Sequence, residues 1–261
     1  MTQSIEITAL DDPRVAPYAQ LTGRQLQQEN CLIAESENVI LAALEAGCRP
    51  LSLLMERRHL TGKGRELAQR CAVPVYTGED SLLESLTGFR LSRGILCAME
   101  RPVPQDAQQI VANARRILVL ENVVDGTNVG ALMRSAAALG ADGVLLTPDC
   151  CDPFQRRAAR VSMGAAFRIP WAFCAGPLRL LKDAGFVTAA LALRSEAVSI
   201  QDRRLREAEK LALFLGSEGD GLRQATIDGC HYAAIIPMHH EVNSLNVAAA
   251  GAIACWELFG R

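Results

Sequence analysis

Residues Ile117–Gly140 of this 261-residue chain have the sequence ILVLENVVDGTNVGALMRSAAALG, from which the fold class can be predicted. The segment begins with the apolar run Ile117–Leu120, which is typical of a buried strand. A stretch rich in Gly, Asp and Asn at Asp125–Gly130 predicts a turn. Apolar residues then repeat at helical spacing until Gly140, so we expect a helix with Arg134 opposite its apolar stripe. Strand, turn and helix in this order are typical of α/β folds, which bind ligands at the carboxyl ends of their strands.

The composition is that of an ordinary globular protein, with 49% hydrophobic and 21% charged residues and a formal net charge of −2. This charge argues against a strongly basic protein that wraps nucleic acid, although it allows a local basic patch. No apolar run reaches the roughly 18 residues of a membrane span, and the N-terminus lacks the layout of a signal peptide. The nine cysteines are scattered without a Cys-x-x-Cys pair, and His239 and His240 are adjacent. We therefore expect reduced thiols, no metal site and a cytoplasmic location.

A polar segment with two prolines, Arg101–Gln109, has no apolar periodicity and suggests a boundary between domains. We predict an N-terminal domain at 1–103, a linker at 104–114 and a second domain at 115–261. Short apolar strands alternate with helical segments in the first domain, which predicts a small α/β domain. Its expected strands are Cys31–Ala34, Leu51–Met55, Val73–Tyr76 and Gly94–Met99.

The densest basic patch follows a strand predicted at Gly143–Thr147. Four arginines lie within thirteen residues of Arg156–Arg168, interrupted by the small residues of Ser162–Ala166. A helix that packs through those small residues would present the arginines to a polyanion. Solvated arginines on an ordinary helix explain the pattern equally well. The residues that we predict to bind a polyanion such as RNA are Arg156, Arg157 and Arg160.

A glycine-rich segment, Gly216–Leu222, follows a strand predicted at Leu211–Leu215. Its glycines would let the backbone approach a ligand closely. Their order is not the Gly-x-Gly-x-x-Gly of dinucleotide-binding folds, and the carboxylates of Glu218 and Asp220 would repel a phosphate. The segment therefore favours a neutral or cationic ligand, although a plain tight turn would also account for it.

The C-terminal segment contains a strand predicted at Ala233–Met238 and a final helix predicted at Val247–Phe259. Ser244 or Asn246 is a natural N-cap for this helix, since both side chains accept hydrogen bonds from backbone N–H groups. The helix begins with small residues, which predicts very close packing against another backbone.

These three segments, in this order and spacing, resemble the three motifs of the SpoU (TrmH-type) RNA ribose 2′-O-methyltransferases of the SPOUT superfamily. Asp125–Gly130 with Arg134 resembles the first motif, and Leu215–Leu222 resembles the second. Ile236–Met238 with Ser244–Val247 resembles the third. The resemblance covers residues 115–261, and residues 1–103 are more loosely similar to the substrate-binding domain, related to a ribosomal protein fold, that many members carry.

The resemblance implies an α/β domain with a parallel sheet and a deep trefoil knot, assembled as a homodimer. It also implies S-adenosylmethionine as the methyl donor, S-adenosylhomocysteine as the product and no metal. Gly126 stands where many members have proline, so we expect a slightly looser turn there. The cofactor-binding residues implied are Gly216, Ile236, Met238 and Leu245.

The reaction implied is methyl transfer to a ribose 2′-hydroxyl. Because an arginine is effectively never deprotonated in proteins, we expect Arg134 to anchor an RNA phosphate and stabilise negative charge on the attacking oxygen, and not to act as a base. The other implied residues would orient the ribose and this arginine. The catalytic set is Asn128, Arg134, Glu218, Ser244 and Asn246.

The expected substrate is ribosomal RNA, because an N-terminal domain of this type often accompanies that substrate in the family; transfer RNA stays open. Two other classes of function fit the sequence less well. A non-catalytic RNA-binding protein on the same scaffold would be expected to lose Asn128, Arg134 or Asn246, and all three are present. A nicotinamide-dependent oxidoreductase is disfavoured because the glycine fingerprint is missing.

Overall fold

The computed structural model describes residues 4–19, 23–91, 94–103, 105–239 and 244–260. His240, considered above as a metal ligand, lies outside these residues. The chain forms two compact units: the first contains residues 1–103 with 154–167, and the second contains residues 104–153 with 168–261. In the described part of the chain, no helix combines the length and apolar character needed to cross a membrane.

The strands are β1 Ser4–Glu6, β2 Cys31–Glu35, β3 Pro50–Met55, β4 Val75–Thr77, β5 Ile95–Glu100, β6 Arg116–Leu120, β7 Gly143–Leu146, β8 Trp171–Phe173, β9 Val187–Leu191, β10 Val198–Ser199, β11 Leu211–Leu215 and β12 Tyr232–Ile235. The α-helices are α1 Gly23–Gln28, α2 Glu37–Glu45, α3 Lys63–Cys71, α4 Asp80–Thr87, α5 Ala107–Asn113, α6 Gly126–Ala138, α7 Arg156–Val161, α8 Pro177–Asp183, α9 Arg203–Arg206, α10 Gln224–Gly229 and α11 Val247–Phe259. Short 3-10 helices lie at Pro13–Tyr18, Arg57–His59 and Ala165–Phe167.

The first unit is built on a mixed five-stranded sheet in the order β1-β4-β3-β5-β2. Strands β3 and β4 are parallel, whereas β5 runs antiparallel to both β2 and β3. The strands predicted at Cys31–Ala34, Leu51–Met55 and Gly94–Met99 are confirmed as β2, β3 and β5. The strand predicted at Val73–Tyr76 begins later, at Val75, because Pro74 has no N–H to donate to a neighbouring strand.

Two segments differ from the predicted domain organisation. Residues 107–113, expected to be linker, form α5, since Asp106 caps the helix and accepts a hydrogen bond from the Gln108 backbone at 2.9 Å. Two buried apolar residues of α5, at 110 and 111, join the core of the second unit and stabilise the helix there. Residues 154–167, expected in the second domain, belong to the first unit. Gly164 explains their close packing, because a Cβ at this position would come within 2.5 Å of the Ala42 Cβ in α2.

The second unit contains the predicted parallel sheet. Its seven strands lie in the order β10-β12-β9-β11-β6-β7-β8, and all of their pairings are parallel. Every residue of β11 is buried, as expected for a central strand with both faces covered. Strand β12 ends at Ile235, earlier than the predicted Met238, and Pro237 could not have donated to a continued ladder.

Helices α6 and α11 pack against each other through small residues, as the sequence predicted for α11. A Cβ at Gly251 would lie 2.3 Å from the Leu132 Cδ2 atom, so glycine permits this approach. The turn predicted at Asp125–Gly130 is wrong beyond its first residue, because α6 already begins at Gly126. Asp125 is instead the N-cap of this helix, and its side chain accepts hydrogen bonds from the backbone of the first turn.

Candidate active site

Helix α6 places Asn128 in its first turn, directly after strand β6. The Asp125 Oδ1 atom accepts hydrogen bonds from the backbone N of Thr127 at 2.7 Å and of Asn128 at 3.1 Å. This cap fixes the start of the helix and therefore the position from which the Asn128 side chain projects. Arg134 is exposed on the same helix, while its neighbours Leu132 and Met133 are buried, as the periodicity predicted.

The Asn128 side chain connects all three segments that the sequence analysis singled out. Its Nδ2 atom donates to the Glu218 Oε1 atom, and its Oδ1 atom accepts a hydrogen bond of 3.1 Å from the Asn246 Nδ2 atom. Asn246 is also the N-cap of α11, because its Oδ1 atom accepts from the Ala248 backbone at 2.9 Å. Three residues far apart in the sequence thus form one hydrogen-bonded group, which we call the Asn128–Glu218–Asn246 network.

A cavity of about 710 Å³ lies beside this network, at the carboxyl ends of β9, β11 and β12. Glu218 and Asn246 belong to both the network and the cavity wall, whereas Asn128 and Arg134 do not line the cavity. The remaining predicted residues that line it are Gly216, Ile236, Met238, Ser244 and Leu245. Lining residues that the sequence analysis missed include Leu193, Arg194, Gln224 and Ile227.

The loop Gly216–Leu222, called the glycine loop below, folds back on itself at the edge of the cavity. A Cβ at Gly216 would lie 2.1 Å from the carbonyl carbon of Gly221, so no other residue fits there without moving the backbone. Gly221 has a φ of +69° and its N–H donates to the Ser217 carbonyl at 3.1 Å. This tight closure depends on glycine at position 216, which allows the two backbone segments to approach each other.

The cavity matches the chemistry of S-adenosylmethionine. Its volume lies within the roughly 300–1,000 Å³ of small-molecule sites. Leu193, Ile227 and Leu245 give the cavity an apolar surface, and Glu218 and Asp220 add two carboxylates to its wall. Two carboxylates beside the cavity would favour a cationic ligand, one of the two kinds, neutral or cationic, that the sequence favoured.

A buried carboxylate that the sequence analysis missed holds the far end of the glycine loop. Glu121, the first residue after β6, is only 4% exposed. It accepts hydrogen bonds from the Arg223 backbone N and from the Thr226 Oγ1 atom, both at 2.6 Å. Its own N–H donates to the Leu215 carbonyl at 2.8 Å. Glu121 thus connects the strand before Asn128 to both ends of the glycine loop, and no local pattern in the sequence indicates this.

The basic patch is partly neutralised within the first unit. The Arg160 Nη1 atom lies 3.1 Å from the Glu35 Oε1 atom, and the Arg156 Nη1 atom lies 3.8 Å from the Glu35 Oε2 atom. The Arg156 guanidinium also stacks on the Phe89 ring at 3.7 Å, and its burial lowers the pKa of this guanidinium. Arg157 is exposed. Two of the three predicted RNA-binding arginines therefore have structural contacts already.

All nine cysteines carry free thiols. Burial is the main cause that raises the pKa of Cys150, and it raises the pKa of Cys151 to about 12. Both side chains near the first motif are therefore protonated thiols at neutral pH, the weakly nucleophilic form. In the described part of the chain, no group of three or more His, Cys, Asp or Glu side chains has the geometry of a metal site.

The buried Glu121 carboxylate leads to a stability prediction. Glu121→Gln replaces one acceptor oxygen by an NH₂ group opposite an existing donor, so we expect a loss of about 1–3 kcal/mol in the free energy of unfolding. Thr226→Val removes a single bond and should cost less. Both tryptophans, Trp171 and Trp256, lie in the second unit, so urea unfolding followed by tryptophan fluorescence reports on this unit.

The matched control is Glu209→Gln, which changes an exposed carboxylate of the same unit and should leave the urea midpoint unchanged. An equal midpoint for Glu121→Gln and Glu209→Gln would contradict the anchoring role of Glu121.

Comparison with known proteins agrees with the resemblance seen in the sequence. Residues 115–256 match the model of the SpoU rRNA Methylase family. A relative from Mycobacterium tuberculosis, named as an uncharacterized tRNA/rRNA methyltransferase, is 35% identical over 95% of this chain and 88% of its own. A Bacillus subtilis protein, named as 23S rRNA (guanosine(2553)-2'-O)-methyltransferase, is 25% identical over 98% of this chain and 99% of its own.

Among solved structures, the AdoMet-bound rRNA methyltransferase from Sinorhizobium meliloti superposes with a TM-score of 0.82. It is 23% identical to this chain, and the alignment covers 98% of this chain and 97% of the other. The fold is therefore shared at a low level of sequence identity. The family match, the full-length relatives and the meeting of the three motifs at one cavity lead to one conclusion: this chain belongs to the SpoU family of RNA methyltransferases.

Proposed function

We propose that this protein transfers a methyl group from S-adenosylmethionine to a ribose 2′-hydroxyl of ribosomal RNA. The observation that carries the proposal is the Asn128–Glu218–Asn246 network at the edge of a cavity fitted to a cationic ligand. The name of the Bacillus subtilis relative favours ribosomal RNA, while the name of the Mycobacterium tuberculosis relative includes transfer RNA. A cytoplasmic location follows from a ribosomal substrate.

The two sides of the site have different roles in this proposal. Gly216, Ile236, Met238 and Leu245 hold the cofactor, which supplies a methyl group already activated by its sulfonium. Asn128 and Arg134 face the RNA. Glu218 both lines the cavity and contacts Asn128, so it would lie where the cofactor side of the site meets the RNA side.

The chemical obstacle is the weak acidity of the ribose hydroxyl, whose proton must leave as the new bond forms. Arg134 remains protonated, so its role is to hold the adjacent phosphate and stabilise negative charge on the attacking oxygen. The side chains of Asn128, Glu218, Ser244 and Asn246 orient the ribose. The existing bonds within the network support this role, because they restrict the rotamers of Asn128 and Asn246 before substrate arrives.

The first unit is proposed to bind RNA. Arg157 is the arginine of the basic patch best suited to a phosphate, because it is exposed. Arg156 and Arg160 contact Glu35, and their contribution to RNA binding would require competition with this buried carboxylate.

A homodimer is also part of the proposal, as is the trefoil knot that the family resemblance implies. Support for the dimer comes from α11, which exposes two large apolar side chains on one face: Ile253 is 42% exposed and Trp256 is 68% exposed. Ala249 continues the same stripe, since residues at i, i+4 and i+7 share a helix face. A second copy of this chain would cover this stripe.

Substitution of Arg134 tests the catalytic proposal. Arg134→Ala should lower the rate of RNA methylation by roughly 100-fold or more, since a donor aimed at developing charge has about this effect. Arg134→Lys should fail as well, because an ammonium lacks the planar fork of the guanidinium. The measurement is methyl incorporation into RNA, with S-adenosylmethionine affinity determined in parallel and expected to be unchanged.

The control for Arg134 is Arg203→Ala, which changes an exposed arginine of α9 in the same unit. Turnover of Arg134→Ala at the rate of this control would contradict the role assigned to Arg134.

Mapping of 2′-O-methyl groups in total RNA, from cells with and without this protein, tests the substrate. We expect one position in ribosomal RNA to lose its methyl group, and purified protein should restore it. Loss of a methyl group only from transfer RNA would overturn ribosomal RNA as the substrate and would support the proposed 2′-O-methylation. No lost position in either RNA would contradict the proposed activity.

Charge placed on the exposed stripe of α11 tests the dimer. Trp256→Glu and Ile253→Glu should each convert a dimer into a monomer in sedimentation at micromolar concentration, because a carboxylate would have to be buried unpaired. Val103→Glu, at an 87% exposed apolar residue of the first unit, is the control and should sediment like the unmodified protein. A monomeric unmodified protein would contradict the proposal.

A further inference from the structure

The cavity contains a charged residue that none of the three motifs includes. Among the described residues that line it, the charged ones are Arg194, Glu218 and Asp220. Arg194 follows β9, whereas both carboxylates lie on the glycine loop after β11. One cationic side chain thus accompanies two anionic ones in the wall of a single cavity.

Contacts with α10 hold the guanidinium of Arg194 in place. Its Nη2 atom donates to the Gln224 Oε1 atom, and the Gln224 Nε2 atom donates to the Asp228 Oδ1 atom at 2.5 Å. Both partners belong to α10, which Glu121 anchors through Thr226. A guanidinium has five N–H donors, so the contact with Gln224 leaves it able to hold a carboxylate as well.

The charges of the cavity match those of one end of S-adenosylmethionine. At neutral pH the methionine part of this molecule carries a sulfonium, an α-ammonium and an α-carboxylate. The two carboxylates of the glycine loop could pair with the two cations, which would leave the α-carboxylate without a partner unless a basic residue is present. We propose that Arg194 binds the α-carboxylate of S-adenosylmethionine and positions the methionine end of the cofactor. This inference rests on the proposed function, since it takes that cofactor as the ligand.

The strand order favours the cofactor over an RNA phosphate as the partner of Arg194. Strands β9 and β6 flank β11 on opposite sides. Arg194 follows β9, while Asn128 and Arg134 follow β6, so the glycine loop lies between Arg194 and the side proposed for RNA. A carboxylate binding an arginine through charge-assisted hydrogen bonds is also among the stronger polar contacts in proteins.

The experiment compares two ligands on the full chain by isothermal titration calorimetry. S-adenosylmethionine has the carboxylate, whereas decarboxylated S-adenosylmethionine lacks it and keeps the sulfonium and the amine. Arg194→Gln should bind S-adenosylmethionine at least roughly tenfold more weakly, as expected for loss of a charge-assisted pair, and should bind the decarboxylated ligand within about twofold of the unmodified protein. Arg194→Lys, which keeps the charge, should recover part of the affinity.

The control is Arg179→Gln, because Arg179 is an exposed arginine of α8 in the same unit and does not line the cavity. Its affinity for both ligands should be unchanged. Thermal unfolding of each variant establishes that the second unit is folded, and binding of the decarboxylated ligand gives a second check on the same sample.

The outcomes separate this inference from the proposed function. Equal loss of affinity for both ligands in Arg194→Gln would overturn the inference, since the carboxylate would then not be the group recognised. Unchanged affinity for S-adenosylmethionine with a raised KM for RNA would also overturn it and assign Arg194 to a phosphate. If the unmodified protein bound neither ligand, the proposed function would fail as well.

Discussion

The candidate site depends on the two hydrogen bonds that the side-chain amide of Asn128 makes. This amide donates to Glu218 on one side and accepts from Asn246 on the other. Asn246 in turn caps α11, and Asp125 caps α6 in the turn that contains Asn128. Helix capping and site geometry are thus maintained by the same few hydrogen bonds. A change in either helix start would displace the three motifs relative to one another.

The candidate site also requires backbone segments to approach one another closely. Glycine residues make this approach possible at two places. Gly251 lets α11 pack on Leu132 of α6, which brings the cap residues of the two helices together. Gly216 lets the glycine loop close on Gly221. Loops at an active site would otherwise be free to move, but the buried Glu121 carboxylate holds the exit of this loop.

The distribution of charge explains how a chain of net charge −2 can act on a polyanion. Acidic side chains of the glycine loop face the cavity, where they favour a cationic cofactor. Arg134 lies on α6, which follows β6, and Arg194 follows β9, on the other side of β11. In the proposed arrangement, Arg134 contacts the RNA and Arg194 contacts the carboxylate of the cofactor. In the first unit, Glu35 neutralises part of the basic patch and couples α7 to β2. Positive charge is thus placed locally, without a basic surface overall.

Much of the fold and the core of the site followed from the amino-acid sequence. The bounds of α11 and a cap at Ser244 or Asn246 were predicted, because periodicity and capping depend on residues a few positions apart; the structure has Asn246 as the cap. The parallel sheet was implied by the family resemblance and is confirmed. The sequence did not predict that Arg194 lines the cavity or that Glu121 anchors the glycine loop. It also did not predict that residues 154–167 belong to the first unit. Glu121 contacts Thr226 across 105 positions, and Arg160 contacts Glu35 across 125. Such partners are chosen by the packing of the whole chain, and a local pattern contains no information about them.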